Sequence, residues 1–280
     1  MKYTQTKTNT RPFVKWPGNK YRFINIIVSK LPTSRTLIEP FVGSGAVFLN
    51  TNYENYVLSD ANPDIINLYK TLQQHGHEFI DFCKKFFTRK NNTAANYYTI
   101  RDQFNHMQDD PITRAALFLY LNRHGYNGLC RFNKHNKFNV PFGRHHNIKL
   151  PIAPMKAFYV KAKRAKFFLR DFKDTLSLRR LHRSNAVVYC DPPYVPLSNT
   201  ANFINYQAKG FDFSNQQILA NLAIKLSNKG IPVLISNHLT TVTKQIYAKA
   251  SELTTFQARR MISCKADSRN YVTEVLALYN

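Results

Sequence analysis

Residues 36–69 read TLIEPFVGSGAVFLNTNYENYVLSDANPDIINLY, and their pattern decides the fold class. Thr36, Leu37 and Ile38 make a short buried strand that runs into the turn of residues 40–45. Ala46 starts a helix, residues 56–59 form a second strand ending at Asp60, and Asn62 caps a helix with Pro63 at its first position. Ile65, Leu68, Tyr69 and Leu72 then recur at helical spacing. This is a β-α-β-α unit, with Gly43, Ser44, Gly45 and Asp60 at the ends of its strands.

Upstream, residues 20–31 read as a helix stopped by Pro32. Downstream the alternation returns late. Residues 166–169 are strand, 176–181 a short helix, and 186–190 a buried strand ending at Asp191. Ser214 and Gln217 form a capping-box signature ahead of Ile218, Leu219, Leu222 and Leu226. Residues 232–236, 253–256 and 274–279 supply further strands. The alternation implies an α/β fold with a mostly parallel sheet, built by residues 1–65 and 160–280 and interrupted by an inserted segment, 66–159.

The insertion carries the charge signal. The chain has 40 Lys and Arg against 16 Asp and Glu, a net charge of +24. Residues 111–170 hold 13 Lys or Arg and no acid, where an even spread would place about three. Such a surface suits a polyanion, because phosphate neutralisation is the main source of nucleic-acid affinity. Residues 114–121 are apolar and helical, whereas 122–149 are rich in Asn, Gly, His and Arg with isolated aromatics, as groove and base contacts need. No apolar run approaches the length of a membrane span or a signal peptide, so a cytoplasmic protein is expected. Cys83, Cys130, Cys190 and Cys264 are scattered, which suggests neither a zinc site nor a disulfide framework.

Two motifs carry chemistry. EPFVGSG (39–45) sits between a strand and a helix, with small residues that let backbone approach a ligand; Asp60, at the end of the next strand, can bind ribose hydroxyls. A nucleoside cofactor fits. The missing third glycine and phosphate-loop lysine argue against NAD and ATP. DPPY (191–194) follows the buried strand VVYC, and by composition it would arise by chance in about one chain in a thousand. Its prolines fix the backbone so that a carboxylate, a carbonyl and an aromatic ring leave the carboxyl end of the sheet together.

EPFVGSG followed by DPPY, with a basic region between, resembles the amino-methyltransferases that use S-adenosylmethionine. FVKWPGNK (13–20), FLYLNRHGYNGLCRFN (118–133), FNVPFGR (138–144), VVYCDPPYVPLSNTANF (187–203) and PVLISNH (232–238) extend the resemblance over most of the chain to the bacterial Dam family of DNA adenine methyltransferases. It implies a Rossmann-like methyltransferase sheet of about seven strands with an inserted helical and loop DNA-recognition domain. Asp191 and the Pro192 carbonyl would accept the two N6 hydrogens of adenine and aim its lone pair at the sulfonium methyl, with no metal. Tyr194 would stack on the target base, which must be flipped out of the duplex.

By the same resemblance, Trp16, Gly18, Lys20, Glu39, Phe41, Val42, Gly43 and Asp191 would surround the S-adenosylmethionine. Asp60 would take its ribose, and Asp171 and Phe172 would lie near its adenine. The local sequence RDFKD (170–174) and Asn19, where relatives commonly have glycine, depart from the family pattern. Lys15 and Arg131 would read guanines, and Leu129 and Pro141 a thymine methyl. Tyr126 would enter the stack, Asn127 would support the orphaned base, and Arg101, Asn133, Asn139 and Arg144 would hold phosphates. The implied target is double-stranded GATC, methylated on both strands; a palindrome needs no dimer, and a monomer is expected. The alternatives are a restriction-linked enzyme of another target, one acting on cytosine N4, and a basic DNA-binding protein without turnover. RNA fits less well, since side chains cannot read its deep major groove.

Overall fold

The β-α-β-α unit is present in the computed structural model, which describes residues 9–107, 109–177, 181, 185–195, 211–259 and 271–280. The strands are β1 Thr36–Glu39, β2 Asn55–Asp60, β3 Ala165–Leu169, β4 Ala186–Cys190, β5 Val233–His238, β6 Glu252–Arg259 and β7 Tyr271–Tyr279. They form one sheet of order β3-β2-β1-β4-β5-β7-β6. β1 runs parallel to β2 and β4, and β4 parallel to β5; β7 is antiparallel to both β5 and β6. The α/β class and the mixed, mostly parallel seven-stranded sheet match the expectation from sequence. β4 is buried along its whole length, which explains its unbroken AVVYC run.

The chain divides into two compact units, residues 1–28, 42–52 and 60–169 forming one and residues 29–41, 53–59 and 170–280 the other. The first contains β3 and the helices α2 Ala46–Asn50, α3 Pro63–Lys84, α4 Ala94–His106, α5 Pro111–His124 and α6 Ile152–Ala162; α1 is Ile24–Lys30. Its core is aromatic: the Phe158 ring lies 5.1 Å from Phe13, 4.6 Å from Tyr69 and 5.4 Å from Phe48. Asn62 caps α3 as its sequence requires, accepting from the backbone N–H groups of Asp64 and Ile65. Buried Asp64 accepts from Arg114 Nε of α5 at 2.7 Å, and Arg114 also donates to the Phe104 and Met107 carbonyls. One guanidinium thus ties α3, α4 and α5 together.

The second unit contains β1, β4, β5, β6 and β7 with the helices α7 Phe172–Thr175, α8 Phe213–Ser227 and α9 Thr241–Ile246. Ile38, Val188, Leu219, Ala223, Val233, Ile235 and Ala277 belong to its buried core. Each large aliphatic side chain buried there is worth about 1.5–3 kcal/mol.

One local expectation is corrected, and another falls largely outside the described residues. The cap of α8 is Asp212, which accepts from Asn215 N at 2.9 Å and from Ser214 Oγ at 2.7 Å. A carboxylate is a stronger acceptor for a helix start than the hydroxyl two residues on, and it takes that hydroxyl as a donor too. The short helix expected at 176–181 is preceded by α7, capped by Asp171, with Leu176 at its end; residues 178–180 lie outside the described residues. So do Cys264 and the 196–203 part of the quoted DPPY stretch. Among the described residues no helix is long and apolar enough to cross a membrane.

Candidate active site

In the first unit, the loop after β1 is built around Gly43. Its φ of 45° favours glycine, its N–H donates to Asp60 Oδ2 at 3.0 Å, and its carbonyl accepts from Tyr69 OH at 2.6 Å. A Cβ at Gly43 would meet the Trp16 indole at 3.0 Å, so Trp16 lies directly against the loop. Asp60 Oδ1 accepts from Asn62 N at 2.9 Å. Burial pushes the Asp60 carboxyl above the ordinary carboxylate range, opposed by the backbone N–H groups of Asn62 and Gly43. Lys20 is buried and donates from Nζ to the Gly18 carbonyl at 2.6 Å. Asn19 caps the turn Lys20–Phe23 by accepting from Tyr21 N, a use for the residue that departs from the family pattern.

In the second unit, Glu39 is buried at the end of β1. Phe41 stacks on Phe172 at 5.4 Å, and both pack on Phe211, at 5.6 and 5.3 Å. Asp171 is exposed and its carboxylate accepts from Lys173 N, which fixes it as the α7 cap.

The DPPY segment leaves β4 into a polar network. Ser236 Oγ of β5 donates to Asp191 Oδ1 at 3.1 Å and accepts from Tyr189 OH at 3.2 Å. Tyr194 OH lies 2.9 Å from Ser236 Oγ and donates to Glu274 Oε2 of β7 at 2.9 Å. Gln216 Nε2 donates to the Pro193 carbonyl, and Val195 N to Asn237 Oδ1. Residues 191–195 are thereby held in one conformation by α8, β5 and β7. Burial, reinforced by the nearby charge of Asp191, pushes Tyr189 and Tyr194 far above an ordinary phenol, so both keep their protons. Ser236, Glu274, Gln216 and Asn237 were not anticipated as site residues.

The basic segment also lies in the first unit. Asn122 is fully buried within α5 rather than opening the loop, and it clamps Lys15 by accepting from its N–H at 2.8 Å and donating to its carbonyl at 2.6 Å. Lys15 Nζ donates to the Arg123 carbonyl at 3.3 Å, and burial with the Arg123 charge pushes its ammonium below the usual range. Tyr126 is 51% exposed and follows directly on the end of α5; Asn127 adopts φ 51°. Two loop strands hold this turn, through Tyr126 N to Pro141 O at 2.9 Å and Asn139 N to Arg131 O at 3.1 Å.

Arg131 is exposed and steered by Asn139, to which it donates from Nε at 2.7 Å. Arg101 donates to the Val140 carbonyl and lies over the Tyr98 ring. Asn133 accepts from the N–H groups of His135 and Lys137, closing a turn. Leu129 is half-buried, and Pro141 and Arg144 are exposed. The fold therefore gathers Arg101, Tyr126, Arg131, Asn139 and Pro141 about one loop pair.

Among the described residues no group of His, Cys, Asp or Glu could hold a metal ion. Residues 16–262 match the family described as D12 class N6 adenine-specific DNA methyltransferase. The DNA adenine methylase of Vibrio cholerae is 45% identical over 270 residues, covering 96% of each chain. Those of Salmonella typhi and Escherichia coli K12 are 46% and 45% identical over 269 residues, covering 96% of this chain and 95% of each relative. The chain belongs to the D12 class of N6 adenine-specific DNA methyltransferases, and its activity is the methylation of adenine in DNA.

Proposed function

We propose that the enzyme takes its methyl group from S-adenosylmethionine and delivers it to adenine N6 in double-stranded GATC, acting on a base flipped from the duplex. The observation that carries this reading is the DPPY exit from β4, where Asp191 is positioned by Ser236 and the Tyr194 ring is anchored through its hydroxyl. Asp191 and the Pro192 carbonyl accept the N6 hydrogens, which localises the lone pair on nitrogen. Tyr194 gives the flipped base a stacking face. Gln216 and Asn237 steady the segment just beyond Pro192 by holding the Pro193 carbonyl and the Val195 N–H.

The residues present fit the cofactor. When bound, S-adenosylmethionine supplies an electrophilic methyl on a positively charged sulfur. Asp60 spends one lone pair of each oxygen on backbone N–H groups and keeps others for a ribose diol. Lys20 offers a buried cation beside Gly18, and Trp16, Val42 and Gly43 supply a close-packed apolar wall. Glu39, Phe41, Asp171, Phe172 and Asp191 are the corresponding assignments in the second unit.

Residues 66–159 are the target-recognition insertion in this reading. Lys15 and Arg131 read guanines, Leu129 and Pro141 a thymine methyl, and Tyr126 and Asn127 fill the space the flipped base leaves. Arg101, Asn133, Asn139 and Arg144 lie along the phosphates. A monomer methylates the strands in turn. Incubating the enzyme with unmethylated plasmid and mapping N6-methyladenine with its flanks tests the target: methylation confined to GATC is expected, and methylation elsewhere rejects the assignments in 126–144.

Two variants separate the readers. Arg131→Ala is expected to lose about 1–3 kcal/mol of discrimination at one guanine, read as the ratio of rates on GATC and near-cognate duplexes; an unchanged ratio refutes its role. Gly128 has φ 62° and packs on the Lys15 side chain, so a Cβ there would overlap it. Gly128→Ala is therefore expected to displace Lys15 and relax selectivity at the other guanine, with the Arg131 preference retained.

A further inference from the structure

Methyl transfer to an exocyclic amine releases a proton. The N6 lone pair forms a bond to the methyl carbon, the C–S pair returns to sulfur, and the cationic nitrogen must then shed one of its hydrogens. Four hydrogen-bond contacts link Asp191, Ser236, Tyr189, Tyr194 and Glu274. Only three hydroxyl hydrogens serve them. With both carboxylates ionised, Tyr189 donates to Ser236, Ser236 to Asp191 and Tyr194 to Glu274, and the 2.9 Å contact between Ser236 and Tyr194 holds no hydrogen.

One added proton completes the set. If it arrives on Asp191, that carboxyl donates to Ser236, Ser236 turns its own hydrogen to Tyr194, and Tyr194 continues to donate to Glu274. If it rests on Glu274, the same four contacts are filled with every hydrogen between Glu274 and Asp191 shifted the other way. The two states are the ends of one relay, and all of its members except Asp191 and Tyr194 are buried.

Resting on the reading of Asp191 given above, we infer that Ser236, Tyr194 and Glu274 form a proton relay that receives the N6 proton from Asp191. Glu274 is a positioning residue that acts through Tyr194 and Ser236. Both phenols stay protonated, so hydrogens pass through neutral hydroxyls. Among the described residues, two other titratable groups face the array: His238, opposite Glu274 in the β5–β7 register and edge-on to the Tyr194 ring at 4.6 Å, and Glu39, whose charge acts on Tyr189.

Glu274→Gln tests the relay. Its amide keeps the volume and can donate to Tyr194, which fills the array permanently, so the released proton stays on Asp191 and cannot pass inward. The single-turnover methyl-transfer rate is expected to fall about a hundredfold, the scale of general acid–base assistance, with DNA and cofactor affinities unchanged. The acid limb of its pH profile should move to lower pH, because a proton shared between two carboxylates no longer blocks the reaction. Ser236→Ala should reproduce the loss, and His238→Gln should leave the limb in place. A wild-type rate and profile for Glu274→Gln, or a loss equal at every pH, overturns the relay. Loss in Asp191→Ala with full activity in Glu274→Gln refutes the relay alone, whereas an active Asp191→Ala enzyme removes the reading beneath it.

Discussion

Asp191→Ala will stop methyl transfer, lowering the single-turnover rate by at least about a hundredfold, as expected when an acceptor aimed at the reacting group is removed. The loss will lie in the chemical step. Asp191 sits beyond the end of β4 at the surface of the network, and Ser236, Tyr194 and Glu274 still bond to one another without it. The DNA titration should therefore stay near wild type, and the cofactor affinity should fall far less than the rate, by the one contact Asp191 supplies. A variant that transfers methyl groups at the normal rate would remove Asp191 from the mechanism.

Arg114→Leu should produce the largest loss of stability, about 3–5 kcal/mol, because it leaves a buried carboxylate without its counter-charge. Asp64 has only 3% of its side chain exposed, against 24% for Arg114. The change also strips donors from the Phe104 and Met107 carbonyls and a cation from the face of the Phe104 ring, 4.2 Å away. Urea unfolding should show a lowered midpoint, and Asp64→Leu combined with Arg114→Leu should recover much of it. If the single variant unfolds at the wild-type midpoint, the guanidinium does not hold α3, α4 and α5 together.

Most of the sheet was legible because its strands are short β-rich runs ending in chemically distinctive residues. β1, β2 and β4 end at Glu39, Asp60 and next to Asp191, and Asn62 with Pro63 announces α3. The DPPY exit from β4 was equally legible, since the tetrapeptide is rare and follows an unbroken apolar strand. What escaped was the second rank of polar groups. Ser236 and Glu274 lie inside apolar strands, VLISNH and TEVLALY, where a strand reading treats them as edge or filler. The available signal was a lone acid at the start of the apolar stretch of β7, and burial makes such a residue costly unless it is bonded.

Tyr69 fell at helical spacing and read as core, yet its hydroxyl supports the Gly43 carbonyl. Asn122 read as the first residue of a loop, though its two bonds to Lys15 span 107 positions and no local pattern encodes them. The cap of α8 was misplaced for a local reason, because Ser214 matched a pattern while Asp212 held the stronger acceptor.

The antiparallel β7 has a consequence for synthesis. β5 pairs with β4 on one side and β7 on the other, and among the described strands β6 joins the sheet only through β7. A growing chain that has delivered EPFVGSG, DPPY and the whole basic insertion still lacks the strand that joins β5 to β6 and carries Glu274. The network around Tyr194 is therefore completed only when residues 271–279 have been made.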